Sequence, residues 1–346
     1  MRESDIRDLS MVARFFRSED EWLSQFAGEQ GVVMDQYTVQ VPCPCCGCDQ
    51  GTALFIKHYF HFEQCQCGTI YVSPRFDEGR LNDYYASRES RLNYNGVLSA
   101  NSNEEFRIKE IFEPRVKYIG GIMENAGRSF GPHINLLDIG CASGQFLSSF
   151  QVLKSDSPKL FGVEASGDLS RIAQQRLPAA KIVGLPFQPG LFDAPSMDVV
   201  TIWEVIEHVF DPFLFLKNVA DVMKPGAHLF LSVPNIEGFD IQILWDTGNA
   251  FSPPSHLNYF NKSNIHKLMQ RVGLTVVDIA TPGKLDVDIV RNRVKGNPAA
   301  QIRLGEYLTS IFLSDSEESN YFCDKLQELI RLSGSSSHMV VACTKL

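Results

Sequence analysis

The hydrophobic pattern changes character near residue 135. Beyond it, short apolar runs alternate with amphipathic stretches. INLLDIG, KLFGVEAS, MDVVTIWEV, HLFLSVPN and LTVVDIATPG read as strands, rich in aliphatic and β-branched residues and bounded by turn formers. QFLSSFQVLK, GDLSRIAQQRL, DPFLFLKNVADVMKPG and NKSNIHKLMQRVG read as helices. In the third of these, Asp211 is the expected N-cap, Pro212 the first helical residue and Gly226 the residue past the end. Two further helical stretches precede a final strand, SSHMVVACTKL. Alternating strands and helices predict an α/β domain over 135–346, a doubly wound, mostly parallel sheet with helices on both faces.

Upstream the pattern is helical and then irregular. Residues 1–35 place Val12, Phe15, Phe16, Trp22, Leu23 and Phe26 on one apolar face, predicting a helix or helical hairpin that docks elsewhere. Residues 36–80 hold the cysteine-rich stretch. Residues 81–134 are polar and helical, with Tyr84, Tyr85 and Tyr94 available to glue a linker helix to the next domain or to line an entrance.

Composition narrows the class. The 346 residues are 44% hydrophobic and 21% charged, which suits a soluble globular protein. No apolar run approaches the roughly 20 residues of a membrane span. The first ten residues lack a signal-like apolar core, so a cytoplasmic location is expected. A formal net charge of -9 disfavours loose electrostatic binding of nucleic acid.

Six of the nine cysteines fall between Cys43 and Cys67, a density that favours a metal site over a disulfide framework in such a chain. Cys43 and Cys46 form C-x2-C before Gly47; Cys65 and Cys67 form C-x-C before Gly68. Two short chelating turns supply the four soft ligands of a tetrahedral structural zinc. Cys45 and Cys48 form an overlapping C-x2-C, and His58 or His61 could replace one thiol. The expected quartet is Cys43, Cys46, Cys65 and Cys67.

Ligands bind at the C-terminal ends of the strands in an open parallel sheet. The first strand ends in LLDIGCASGQF, where Gly140 and Gly144 let backbone approach a ligand and the chain opens onto a helix. Glu164 ends the second strand, where an acidic side chain can accept both hydroxyls of a ribose. A dinucleotide loop would have glycines where Ala142 and Gln145 stand, and no G-x-x-x-x-G-K-[ST] motif occurs in the loop. At the end of a later strand, WEVIEHV sets Glu204, Glu207 and His208 beside the same edge.

The first of these motifs resembles D-x-G-x-G-x-G of class I S-adenosylmethionine-dependent methyltransferases. Asp138, Gly140 and Gly144 match, with Ala142 at the middle glycine. The resemblance continues through GVEAS, FDAPSMDVVTIWEVIEHVFDP, VMKPGAHLFLSVPN and PPSHLNYFNKSNIHKLMQRVGL, and covers roughly 107–285. It implies a seven-stranded Rossmann-like sheet binding S-adenosyl-L-methionine. Asp138, Gly140, Ala142 and Gly144 would cradle its methionine part, Glu164 its ribose, and Phe187 its adenine, with Trp203 beside them. The usual acidic residue near Leu185-Pro186 is missing. The upstream ribbon is similar to a zinc module fused to some of these enzymes.

E-x-x-E-H resembles the metal site of certain small-RNA 2′-O-methyltransferases and of ubiquinone-pathway O-methyltransferases, in the former of which a later histidine completes the set; His256 stands at a comparable place. In a helical turn positions i, i+3 and i+4 share one face, which would set Glu204, Glu207 and His208 together, and three readings of the cluster follow. Glu204, Glu207, His208 and His256 bind a divalent metal such as Mg or Mn that gathers substrate oxygens. Alternatively His208 or His256 is a metal-free general base. Alternatively the carboxylates cap the helix near Pro212 and His208 packs structurally. The expected activity is O-methylation of a small hydroxylated metabolite or glycan precursor. C-methylation of a nucleotide sugar, an RNA substrate and a non-catalytic binding protein are the alternatives.

Overall fold

The computed structural model describes residues 2–5, 9–87, 104–153 and 158–346; Tyr94 lies outside them. The N-terminal helix Leu9–Leu23 is followed by β1 (Thr38–Val39), β2 (Gly51–Lys57), β3 (Phe60–Cys65), β4 (Ile70–Val72) and β5 (Arg75–Phe76). The C-terminal part of the expected apolar face docks on the ribbon. Leu23, with Trp22 and Phe26 beside it, packs on Phe60, Phe76 and Leu81.

A helical segment ending in Glu113–Asn125 leads into β6 (Asn135–Ile139), β7 (Lys159–Val163), β8 (Lys181–Val183), β9 (Met197–Trp203), β10 (Met223–Pro234), β11 (Asn258–Tyr259), β12 (Leu274–Ala280) and β13 (His338–Lys345). All but β11 form one sheet, in the order β12-β13-β10-β9-β6-β7-β8. β8, β7, β6, β9 and β10 pair in parallel, and β13 runs antiparallel between β10 and β12. This is the mostly parallel seven-stranded sheet that the alternating pattern and the resemblance led us to expect.

Period-two alternation sorts the core into two layers. Leu136 and Val199 join Ile119, Met123 and Phe150 on one face. Leu137 and Val200 join Leu216, Val219 and Leu268 on the other. β9, at the centre of the sheet, is buried at every position, which is why it reads as a near-continuous apolar run.

Two local expectations change. The helix capped by Asp211, whose Oδ1 accepts from the Leu214 amide at 2.9 Å, spans Pro212–Val222 and stops before Gly226. Pro225 disfavours helical backbone at Lys224, and the chain passes straight into β10. Gly226, at φ 74°, turns the bulge between Met223 and His228 instead. The C-terminal insert between β12 and β13 holds three helices, Asp286–Val294, Pro298–Leu313 and Glu317–Leu332, where two were expected.

The cysteine ribbon extends beyond 36–80. Its four-stranded sheet runs β11-β4-β3-β2, so its outer strand comes from the segment after His256.

Candidate active site

The loop after β6 is shaped by left-handed backbone. Gly140 lies at φ 77°, and a Cβ there would stand 2.6 Å from Val205 Cγ2. Gly144 lies at φ 75°, with room for a Cβ only 3.2 Å from Ala173. Ala142 takes φ 51° without being glycine. Its amide donates to Glu164 Oε2 at 2.9 Å, and the Ser166 amide donates to Glu164 Oε1 at 2.8 Å. Burial raises the Glu164 pKa, opposed by these two bonds. Each oxygen still has a lone pair to offer a hydroxyl.

Asp138 is buried beneath the loop and accepts from Thr201 Oγ1 at 2.7 Å. Burial pushes its pKa up to about 7, against the pull of Thr201 and the Arg115 charge. Trp203 lies under the Arg115 guanidinium, 4.5 Å from the ring centre, and edge-on to Phe146. Its Nε1 is buried with no partner. Phe187, after β8, packs edge-on against Phe215 at 5.8 Å. The strand ends thus bring Asp138, Gly140, Ala142, Gly144, Glu164 and Trp203 to one edge of the sheet. A glycine cradle, an acidic strand end and an orphaned indole N–H fit an adenosyl amino acid there.

The WEVIEHV segment is not one helical face. Glu204 takes left-handed backbone at φ 53°, Val205 lies at φ -128°, and only Ile206–His208 makes a single tight turn. The i, i+3, i+4 expectation therefore fails at Glu204. Glu207, His208 and His256 do converge, with their ligand atoms within 4.8 Å of one another. His208 Nδ1 lies 2.7 Å from the Ser255 carbonyl and His256 Nδ1 lies 3.2 Å from the Ala250 carbonyl. A carbonyl can only accept, so both Nδ1 atoms carry the proton and both Nε2 lone pairs are free. Glu207 Oε2 is buried without a partner.

Burial dominates the electrostatics of the triad. Burial, then the Glu204 charge, holds Glu207 well above the ordinary carboxyl range. Burial lowers His208, and burial with the neighbouring His208 pushes His256 down to about 3. A carboxylate and two imidazoles fixed through Nδ1 form a donor set that suits Mg, Mn, Zn or Fe.

Glu204 faces another group. Its carboxylate accepts from Ser232 Oγ and lies 3.3 Å from His338 Nδ1 and 3.7 Å from Arg115 Nη2. Desolvation works against its charge, but His338, Arg115 and Ser232 outweigh it and keep Glu204 below the usual carboxylate value. Neither glutamate caps the following helix, since Asp211 does. Among the tyrosines, Tyr84 is buried and donates to Glu19 at 2.5 Å, whereas Tyr85 reaches the His208 and Ser255 carbonyls at 3.5 and 3.4 Å.

The sheet order and loop invite comparison with known proteins. Residues 109–279 match the family model described as a methyltransferase domain. This segment is a class I methyltransferase domain. Over 138 residues the chain is 30% identical to the ubiquinone biosynthesis O-methyltransferase of Albidiferax ferrireducens, covering 38% of this chain and 51% of that protein. Over 127 residues it is 32% identical to the protein of the same name from Xanthomonas axonopodis pv. citri, covering 35% and 49%. The chain thus spans about half the length of the curated relatives it matches. Among solved structures, the plantazolicin methyltransferase BpumL in complex with SAH is 12% identical, with a TM-score of 0.47, covering 77% of this chain and 94% of that one.

Upstream of the methyltransferase domain, the ribbon brings the expected thiols together. Cys43, Cys46, Cys65 and Cys67 offer Sγ atoms within 4.8 Å of one another, with Cys43–Cys67 at 3.5 Å and Cys46–Cys65 at 3.4 Å. Gly47 and Gly68 turn each knuckle at φ 77° and 87°. Burial raises Cys43 to about 12; on Cys67, burial is outweighed by hydrogen bonds, chiefly from Thr69, and the thiol falls to about 7. Four converging sulfurs fit zinc. The overlapping knuckle does not enter the group: buried Cys45 donates to the Asn264 carbonyl at 2.8 Å, and Cys48 is exposed. His58 and His61 are not part of it either.

Sequence reasoning missed three neighbours of Glu204. Arg115, Ser232 and His338 surround Glu204 from three separate elements. His338 opens the last strand opposite Pro234, a pairing that no local motif announces. No described helix is long and apolar enough to cross a membrane.

Proposed function

We propose that the protein transfers a methyl group from S-adenosyl-L-methionine to an oxygen of a small hydroxylated metabolite or glycan precursor, with a divalent cation held by Glu207, His208 and His256. The convergence of those three side chains, with both imidazoles committed through Nδ1 and Glu207 Oε2 left unpartnered, carries this reading. The names of the curated relatives, ubiquinone biosynthesis O-methyltransferases, support oxygen as the methylated atom. The four ribbon thiols would hold a structural zinc.

In the reaction, the acceptor oxygen attacks the methyl carbon, an O–C bond forms, the C–S bond breaks and its electron pair goes to sulfur. The donor is already activated, so alignment is the main task of the protein. The Gly140–Gly144 loop and Glu164 would fix the cofactor. A bound cation would lower the pKa of an acceptor hydroxyl and gather neighbouring oxygens. Glu204, kept ionised by Arg115 and the Ser232 hydroxyl, is the group offered for the departing proton, and its charge is felt at Glu207, His208 and His256.

The test begins with S-adenosylhomocysteine titrated calorimetrically into wild type and Glu164→Ala. Micromolar binding that weakens by tenfold or more in the variant is expected. A hydroxylated-acceptor screen with Mg, with Mn and with chelator follows. Turnover that ignores chelation would overturn the metal part of the reading, and absence of cofactor binding would overturn all of it.

A further inference from the structure

The side chain of Arg75, on β5 of the ribbon, is completely buried and has no carboxylate partner among its hydrogen bonds. Its guanidinium donates instead to four oxygens: Val72 O at 2.9 Å, Phe210 O at 2.9 Å, Asn258 Oδ1 at 3.2 Å and Leu257 O at 3.4 Å. Phe210 follows His208 by two residues, and Leu257 follows His256 directly. A single cation therefore spans the two segments that carry the triad.

The surrounding bonds close the same frame. The Leu257 amide donates to the Glu207 carbonyl at 2.8 Å, and the Val72 amide donates to the Leu257 carbonyl at 3.0 Å. Asn258 Nδ2 donates to Val209 O at 2.7 Å. β11, which starts two residues after His256, is itself an edge strand of the ribbon sheet, pairing Asn258 with Tyr71 and Tyr259 with Ile70. Ile70 stands three residues beyond Cys67. Burying an arginine without a counter-ion is costly unless its donors are satisfied, and here the acceptors that satisfy it belong to the triad loops and the ribbon turn.

We propose that Arg75 is a positioning residue, and that through it and β11 the cysteine ribbon sets the spacing of Glu207, His208 and His256. The ribbon is then a working part of the acceptor site, whereas the cofactor loop after β6 is held by hydrogen bonds to Val163 and Glu164 on β7 and its end rather than by the ribbon. This inference rests on the metal-assisted reading above only for what the triad holds, not for the coupling itself.

The test uses the full chain and two perturbations: Arg75→Met, with Arg75→Lys as the conservative partner, and removal of ribbon metal from wild type with a chelator. Hydrogen exchange of peptides spanning 204–210 and 250–260 is followed by mass spectrometry. Manganese binding is read by electron paramagnetic resonance, and S-adenosylhomocysteine affinity by calorimetry. We expect exchange in both peptides to rise at least tenfold under either perturbation, with the lysine variant intermediate. Manganese affinity should fall at least tenfold, while S-adenosylhomocysteine affinity stays within twofold. Unchanged exchange at 204–210 and 250–260, with manganese affinity retained, would overturn the coupling. If Arg75→Met does not fold, the lysine variant and the chelated wild type decide by the same exchange criterion. A wild type that binds no manganese would count against the metal reading alone, and the exchange results would still judge the coupling.

Discussion

At the residue scale, the decisive features are conformational as much as chemical. Gly140 needs both its left-handed backbone and its bare Cα, because a Cβ would meet Val205 at 2.6 Å. Gly140→Ala should cost about 1–3 kcal/mol in urea unfolding and weaken S-adenosylhomocysteine binding with it. Glu19 offers a prediction about pH. Burial holds it at about 8 in the fold, against 4.5 as its ordinary value. Its folded pKa is the higher one, so its contribution is complete below 4.5 and is lost as pH rises towards 8. Glu19→Gln should remove a slope approaching about 1.4 kcal/mol per pH unit from the stability measured by urea midpoints across that window. The candidate chemistry was legible where it is local: Asp138, Gly140, Glu164 and the cysteine quartet lie at fixed spacings in short motifs. Glu204 was misplaced because periodicity assumes continuous helix, and a left-handed residue breaks the phase. His338, Arg115 and Ser232 were invisible because sheet pairing, not sequence spacing, brings them together.

At the scale of elements, capping signals translated well and terminators less so. Asn261 shows a full capping box, with its side chain on the Asn264 amide and the Asn264 side chain on its own amide. Asn261→Ala should therefore cost about 1–2 kcal/mol, measured by urea unfolding. Gly226 looked like a helix end, yet Pro225 stopped the helix first and left the glycine to a bulge. β8 has only three residues and no apolar run of its own, so it is expected only as one member of a seven-stranded sheet. Tyr84 and Tyr85, adjacent in sequence, divide the two roles open to the linker: one fills the core against Trp22, and the other reaches the mouth of the triad.

For the whole molecule, the boundaries drawn from pattern were too clean. The large sheet begins with β6 at Asn135, where the period changes, but periodicity carries no information about which distant strand borders the ribbon. Ligand linkage should act on the assembled protein. S-adenosylhomocysteine at a hundred times its dissociation constant should raise unfolding free energy by about 2.7 kcal/mol if it binds only the folded chain. Stripping the ribbon metal should lower the melting temperature of the full chain and release metal that a colorimetric chelator can count. Melting that is indifferent to chelation would mean that the thiols hold the ribbon shut without help.

The shared edge strand also orders events during synthesis. Arg75 and its partner Asn258 are 183 residues apart. A growing chain exposes the four cysteines and β2 to β4 long before β11 exists to cover their edge, and contacts so distant in sequence form slowly. Until then β4 presents an unpaired, apolar rim, the kind of edge on which nascent chains associate wrongly. The period between emergence of the ribbon and arrival of residue 258 is thus when the edge of β4 stands open.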